Sequence, residues 1–136
     1  MPKKIHNVVS GIFLRDDKFL VEKRRIDDES DPGYIEIPGG HVEDGEPLQK
    51  ALKREMKKEL GVDVLRATMV HKDLYTASNG ERQRIHYFVI KDWRGMPKSK
   101  EAERVYWEDS INNLSIIPDK RGVGNAIEFA ESYNGR

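Results

Sequence analysis

The sequence predicts an α/β or α+β fold built around one strongly marked central helix. Three observations predict it. Short apolar runs of strand length stand before, around and after that helix. Ser78-Asn79-Gly80-Glu81 carries Asn-Gly, the strongest short hairpin signal. No strand–helix unit repeats along the 136 residues. That length suits a single domain over residues 1–136, since domains commonly run ~100–150 residues.

Taken in order, Val8 to Leu14 and Phe19 to Val21 read as buried strands joined by the polar turn Arg15-Asp16-Asp17-Lys18. Arg24 to Gly33 is charged and ends in Asp31-Pro32-Gly33, a loop with turn chemistry. A short extended piece, Tyr34 to Ile37, runs into Pro38-Gly39-Gly40. The central helix is expected from Pro47 to Leu60, with Pro47 at its first position and Gly61 as a left-handed cap. Val62 to Tyr75 and Ile85 to Trp93 are the two arms of the Asn-Gly hairpin. A polar loop from Arg94 to about Arg104, a short strand Val105-Tyr106-Trp107 and a terminal helix Val123 to Tyr133 complete the chain.

Composition excludes several classes of function. Lys and Arg number 24, as do Asp and Glu, so the formal net charge is zero. A nucleic-acid coat or a polybasic membrane anchor would need a net positive field, so neither a nucleic-acid polymer nor a membrane is an expected partner. The apolar stretches are far shorter than the ~18 residues of a membrane span. No apolar core follows Met1-Pro2-Lys3-Lys4, so no secretory leader is expected, and the cytoplasm is the expected compartment. The chain has no cysteine, which excludes disulfides, thiol chemistry and Cys-ligated zinc.

The chemistry lies on the central helix. At about 100° per residue, with Glu55 at zero, Leu48, Ala51, Leu52, Met56 and Leu60 fall between about −40° and 140°. Glu55 and Glu59 (about 40°) fall inside this apolar arc, while Lys50, Lys53 and Lys57 occupy the opposite side. Two acids one turn apart on a core-facing arc need a reason, because a buried charge without a partner is costly. One reading is an ion pair with Arg54, Lys58 or a distant arginine. The other is a divalent-metal site, since carboxylates at i and i+4 can converge on one hard cation. Spacing alone leaves both open.

The segment Gly40 to Val62, GHVEDGEPLQKALKREMKKELGV, resembles the Nudix box of hydrolases acting on nucleoside-diphosphate-linked substrates. Gly40, Glu46, Arg54, Glu55, Met56, Glu59, Gly61 and Val62 fall at required places, eight of the nine defined positions. The ninth departs, with Lys58 where the family carries the first glutamate of a Glu-Glu pair, a metal ligand in MutT-type members. The likeness extends over roughly residues 5 to 118. It includes the Ile35 to Gly40 entry into the box, Arg24-Arg25 where relatives hold a nucleotide-contacting arginine, and a late loop from Trp93 through Glu101 to Trp107. The resemblance implies an α/β/α sandwich around a mixed β-sheet. It also implies divalent-metal-dependent hydrolysis, with Mg2+ or substituting Mn2+, of a nucleoside triphosphate to monophosphate and pyrophosphate.

On that resemblance the expected metal ligands are Glu59, Glu55, the Gly40 carbonyl and Glu101, with Glu103 as the alternative to Glu101. Glu55 could equally serve as the base. Gly40 is also compatible with a turn of positive φ. Arg54 is expected to orient Glu55 or Glu59, and Glu46 to act at the helix start through dipole and capping. Arg25, with Arg24 as alternate, is the expected phosphate- or base-binding arginine, and Asp119 after Pro118 is either a base-reading side chain, as the resemblance implies, or a plain turn aspartate. His41 could approach phosphate, while His6, His71 and His86 are expected at the surface or in strands, without metal-ligand spacing. Tyr75, Tyr87, Trp93 and Trp107 are expected in the core or on a sheet face.

Lys58 carries two readings. It reaches solvent and merely lowers the ligand count, or it places its ammonium on a substrate phosphate. The same residue favours a competing function, a nucleotide-binding or regulatory module with weak or no hydrolysis. ADP-ribose, dinucleoside polyphosphates and nucleotide sugars are further alternatives. The proline and the tyrosine that mark the first two kinds of relative beyond the box are absent here.

Overall fold

The computed structural model describes residues 4–134. The expectation of no leader rests partly on Met1-Pro2-Lys3, which lie outside the described residues. The observed order is β1 (Ile5–Arg15), β2 (Lys18–Lys23), β3 (Ile35–Glu36), β4 (Gly39–His41), α1 (Leu48–Leu60), β5 (Asp63–Thr76), β6 (Arg82–Arg94), β7 (Arg104–Glu108) and α2 (Ile117–Asn134). The strands form one mixed sheet, β3-β2-β1-β6-β5, with β4 also on β1 and β7 also on β2. Only β1 and β6 run parallel, in register from Ile5↔Arg82 to Phe13↔Ile90, among the pairings of the described residues.

Strand periodicity sorts the apolar side chains onto two faces. Val9, Phe13, Leu20, Phe88 and Ile90 pack against Ala51, Leu52, Met56 and Leu60 of α1. Val8, Ile12, Phe19, Val21, Ile85, Tyr87 and Val89 pack against Val123 and Ala126 of α2. The result is the expected sandwich, a helix on each face. Leu52, Met56 and Leu60 are fully buried, and each contributes roughly 1.5–3 kcal/mol on burial.

β1 changes partner along its length. Over Val8–Ser10 it pairs with β4, and at Leu14–Arg15 with β2. The two neighbours diverge between these points, and the cleft described below opens there, lined by Ser10, Glu22, Gly39 and Gly40.

Several boundaries differ from expectation for local reasons. Pro47 is the residue before α1, with an extended backbone (φ −62°, ψ 144°), so the helix starts at Leu48. Gly61 caps the other end as expected, left-handed at φ 74°, donating its N–H to the Lys57 carbonyl. α2 begins at Ile117 rather than Val123, because Pro118 falls in the first turn, where its missing N–H would have had no partner. Asp119 is therefore helical and not part of a turn. β4 carries no strand signal of its own, since Gly-Gly-His has neither alternation nor β-branched residues.

Candidate active site

α1 projects both acids of its apolar arc toward one cleft of about 530 Å3. Glu55 is 4% exposed and its Oε2 accepts no hydrogen bond. The Arg54 Nη1 lies 3.5 Å from that oxygen, an ionic contact without hydrogen-bond geometry. Burial pushes the Glu55 carboxyl above its ordinary range, with Lys58 and Arg54 pulling the other way. Glu59 is half-buried and raised to about 7, first by burial, then by the neighbouring charges of Glu101 and Glu55. Glu101, exposed in the loop between β6 and β7, lines the same cleft and acts on Glu59 with like charge. Glu103 instead pairs with Lys23 at 3.3 Å.

Gly40 lies in β4 opposite Val9, without positive φ. Its requirement is space rather than a turn, because a Cβ there would collide with the Glu55 carboxylate. Arg54 keeps an ionic contact with Glu55, as expected, but gives its hydrogen bonds to other groups. Its Nε and Nη2 donate to Glu46 Oε2 and Oε1 at 2.9 and 2.8 Å, and Nη2 also donates to the His41 carbonyl at 3.0 Å. Glu46 precedes α1 and also accepts from the Glu43 N–H, so this fork and not the helix dipole explains it. The Arg54 hydrogen bond holds Glu46 down to about 2. The pair fastens the Gly40–His41 strand to α1.

Of the two arginines, Arg24 lines the cleft and Arg25 does not. Arg25 is exposed and bound to Asp27, so of the pair it is Arg24, the expected alternate, that faces the cleft. Arg24 donates to Glu36 at 3.0 Å and to the Ser30 carbonyl at 2.9 Å, and pairs with Asp28. Asp119 is buried and lines the cleft, accepting from the Ile37 N–H at 3.0 Å and from the Tyr87 hydroxyl at 2.5 Å. Burial raises it to about 7. Lys58 is exposed at the cleft, in the field of both Glu55 and Glu59.

Tyr87, Trp93 and Trp107 pack in the two cores as expected. Tyr75 does more, lining the cleft and donating its hydroxyl to Asp31 at 2.9 Å. The fold also brings together side chains that no sequence spacing relates. His6, His41 and Glu81 each place a ligand-type atom within 4.8 Å of the others, with His41 Nε2 2.6 Å from Glu81 Oε1. Glu22 is the acid most clearly missed. It is 5% exposed, lines the cleft, and its Oε2 has no hydrogen-bond partner. The available signal was its position two residues after Leu20 at the end of an apolar strand.

A mixed-sheet sandwich with this helix, this glycine entry and this acid cluster defines a Nudix fold. The chain belongs to the Nudix family, the NUDIX domain pattern matching residues 4–121. It is similar to an 8-oxo-dGTP diphosphatase of Haemophilus influenzae, 27% identical over 107 residues that cover 79% of this chain and 78% of the relative. A CTP pyrophosphohydrolase of Escherichia coli is 30% identical over 104 residues, 76% of either chain. The crystal structure of a MutT NUDIX hydrolase from Burkholderia pseudomallei superposes with a TM-score of 0.78 at 23% identity, covering 90% of this chain and 98% of that one. That likeness establishes the fold.

Proposed function

We propose that this Nudix pyrophosphohydrolase cleaves a (deoxy)nucleoside triphosphate to the monophosphate and pyrophosphate, using Mg2+, for which Mn2+ can substitute. The observation that carries the reading is the charge of the cleft. Ten Asp and Glu line it against three Arg and Lys, so a polyanionic phosphate chain would be repelled unless cations intervene. The donors also suit a hard divalent ion. They are carboxylate oxygens, one of them buried and unpartnered on Glu55, and burial, followed by the like charges of Glu101 and Glu55, raises Glu59 to about 7.

Glu59, Glu55 and Glu101 would hold the ion, with the Gly40 backbone beside them. A divalent cation there supplies charge neutralisation along the phosphate chain and a more acidic water. The chain's own groups do the rest. Arg54, clamped on Glu46 and the His41 carbonyl, keeps β4 against α1 and so keeps Glu55 where it can bind an ion or accept a proton. Arg24, held by Glu36 and Asp28, presents positive charge to the nucleotide. The apolar side chains Val8, Ile37, Ile85 and Ile116 line the same cleft and suit a base, while Asp119 braces that wall through Ile37 and Tyr87.

A damaged or surplus triphosphate such as the substrates of the named relatives fits this reading. The experiment is a nucleotide panel incubated with Mg2+ or Mn2+ and resolved by chromatography. Monophosphate and pyrophosphate in equal amounts from a triphosphate support it. Lys58 favours the second reading, a nucleotide-binding module, which would give tight binding of one ligand and no turnover across the same panel.

A further inference from the structure

β2 ends in an acid where its pleat calls for an apolar side chain. Leu20 packs into the core beneath α1, and Glu22, two residues on, faces the same layer. The cross-strand pairs agree, with Leu20 opposite Trp107 and Glu22 opposite Val105 on β7, both aromatic and aliphatic partners packing on the α1-side core. At 5% exposure with an unpartnered Oε2, Glu22 is a costly residue to keep unless something satisfies it. Among the described residues its surroundings supply no such partner. Glu59, Glu36 and Glu101 all act on it with like charge, and burial acts in the same direction. Arg24 is the one opposing charge among these influences, and its guanidinium is engaged by Glu36, Asp28 and the Ser30 carbonyl.

We propose that Glu22 is a ligand of the divalent cation, a carboxylate supplied from β2 to a site shared with Glu59 and Glu101, offsetting the acid that the box has lost at Lys58. This rests on the pyrophosphohydrolase reading above. Hard cations take six or more oxygen ligands and tolerate several carboxylates, and a cation among these three acids would satisfy the orphaned oxygen and relieve their mutual repulsion. Lys58 stands on the exposed flank of α1, and Glu22 lies buried in the same cleft.

The test is Mn2+ binding to the metal-free full chain, followed by calorimetry and by the rise in melting temperature that Mn2+ induces. Glu22→Gln keeps the side-chain volume and removes the buried charge. Its metal-free form should melt at or above wild type, while Mn2+ binds at least about tenfold more weakly and the Mn2+-induced rise shrinks. Glu22→Leu, which suits the apolar layer, should show the same loss and covers the case in which a lone amide at this position hinders folding. Glu59→Gln is measured alongside. If Glu59→Gln loses Mn2+ and both Glu22 variants bind like wild type, Glu22 is not a ligand and only this proposal falls. If all three variants bind like wild type, the cation site itself is misplaced. A metal-free Glu22→Gln or Glu22→Leu that melts well below wild type while binding Mn2+ normally would make Glu22 a structural acid and overturn the proposal.

Discussion

Gly40 and Glu55 share one volume, since the side chain that Gly40 lacks would occupy the position of the Glu55 carboxylate. The box glycine and the first helical acid are thus one mechanical unit, joined across β4 and α1. Gly40→Ala must push Glu55 out of the cleft or lift β4 from the helix. The expected outcome is a loss of kcat/KM of at least about tenfold, equivalent to ~1.4 kcal/mol, with far-ultraviolet circular dichroism unchanged. Steady-state kinetics on Gly40→Ala checks this, and wild-type kinetics would show that Glu55 has no fixed position to keep.

Arg54 is clamped by Glu46 while its Nη1 stays 3.5 Å from the Glu55 carboxylate. Lysine cannot reproduce its two-pronged contact with Glu46 plus the bond to the His41 carbonyl. Arg54→Lys and Glu46→Gln should each lower kcat about tenfold and reduce thermal stability. Because both break the same clamp, the double variant should lose little more than either single one. Additive losses, measured as a double-mutant cycle in kcat/KM, would place the two residues in separate roles.

Lys58 is exposed at the cleft within the field of Glu55 and Glu59. If it chiefly lowers the ligand count, Lys58→Glu tightens Mg2+ binding and raises turnover, and Lys58→Ala leaves nucleotide affinity near wild type. Metal titration and steady-state kinetics on both variants check this. Markedly weaker nucleotide binding by Lys58→Ala at saturating metal would assign the ammonium to a phosphate instead.

Asp119 links stability to pH. Its folded value of about 7 stands above the ordinary 3.8 because it is buried. A raised acid stabilises the fold fully below its unfolded value, and the contribution is lost as pH rises through the folded one. Glu36, raised to about 8 by burial first and then by Asp119, acts in the same sense. The metal-free melting temperature should therefore fall between about pH 5 and 8. Asp119→Asn should melt a few degrees above wild type at pH 8, with the gap narrowing toward pH 5. Thermal melts at both pH values check the sign, and parallel curves would mean that Asp119 stays ionised throughout.

Much of this arrangement was legible along the chain because it is local. The acids on the apolar arc of α1 follow from helical period, Gly61 from its cap, and the β5–β6 hairpin from Asn-Gly. What was not legible depends on contacts across long separations. Arg24 and Arg25 differ only in which way the chain turns after β2, and that is decided by Glu36 and the Ser30 carbonyl. Asp119 after a proline reads locally as a turn residue, whereas α2 starts at Ile117 and gives Asp119 the partners Ile37 and Tyr87. The Arg54–Glu46 fork spans the start of α1, where helix-dipole reasoning points to a different explanation. Glu22 was hidden by its own neighbours, since an apolar run ending in an acid looks like any strand reaching the surface.

The acids gathered under α1 are proposed to hold the ion that drives hydrolysis, and Glu59→Gln removes one of them. The measurement is triphosphate turnover by the purified variant across a Mg2+ titration, with its melting curve recorded beside wild type. Loss of a ligand worth several kcal/mol predicts a rate at least about a hundredfold lower at every Mg2+ concentration, in a protein that melts near wild type. Wild-type turnover by a folded Glu59→Gln would contradict it.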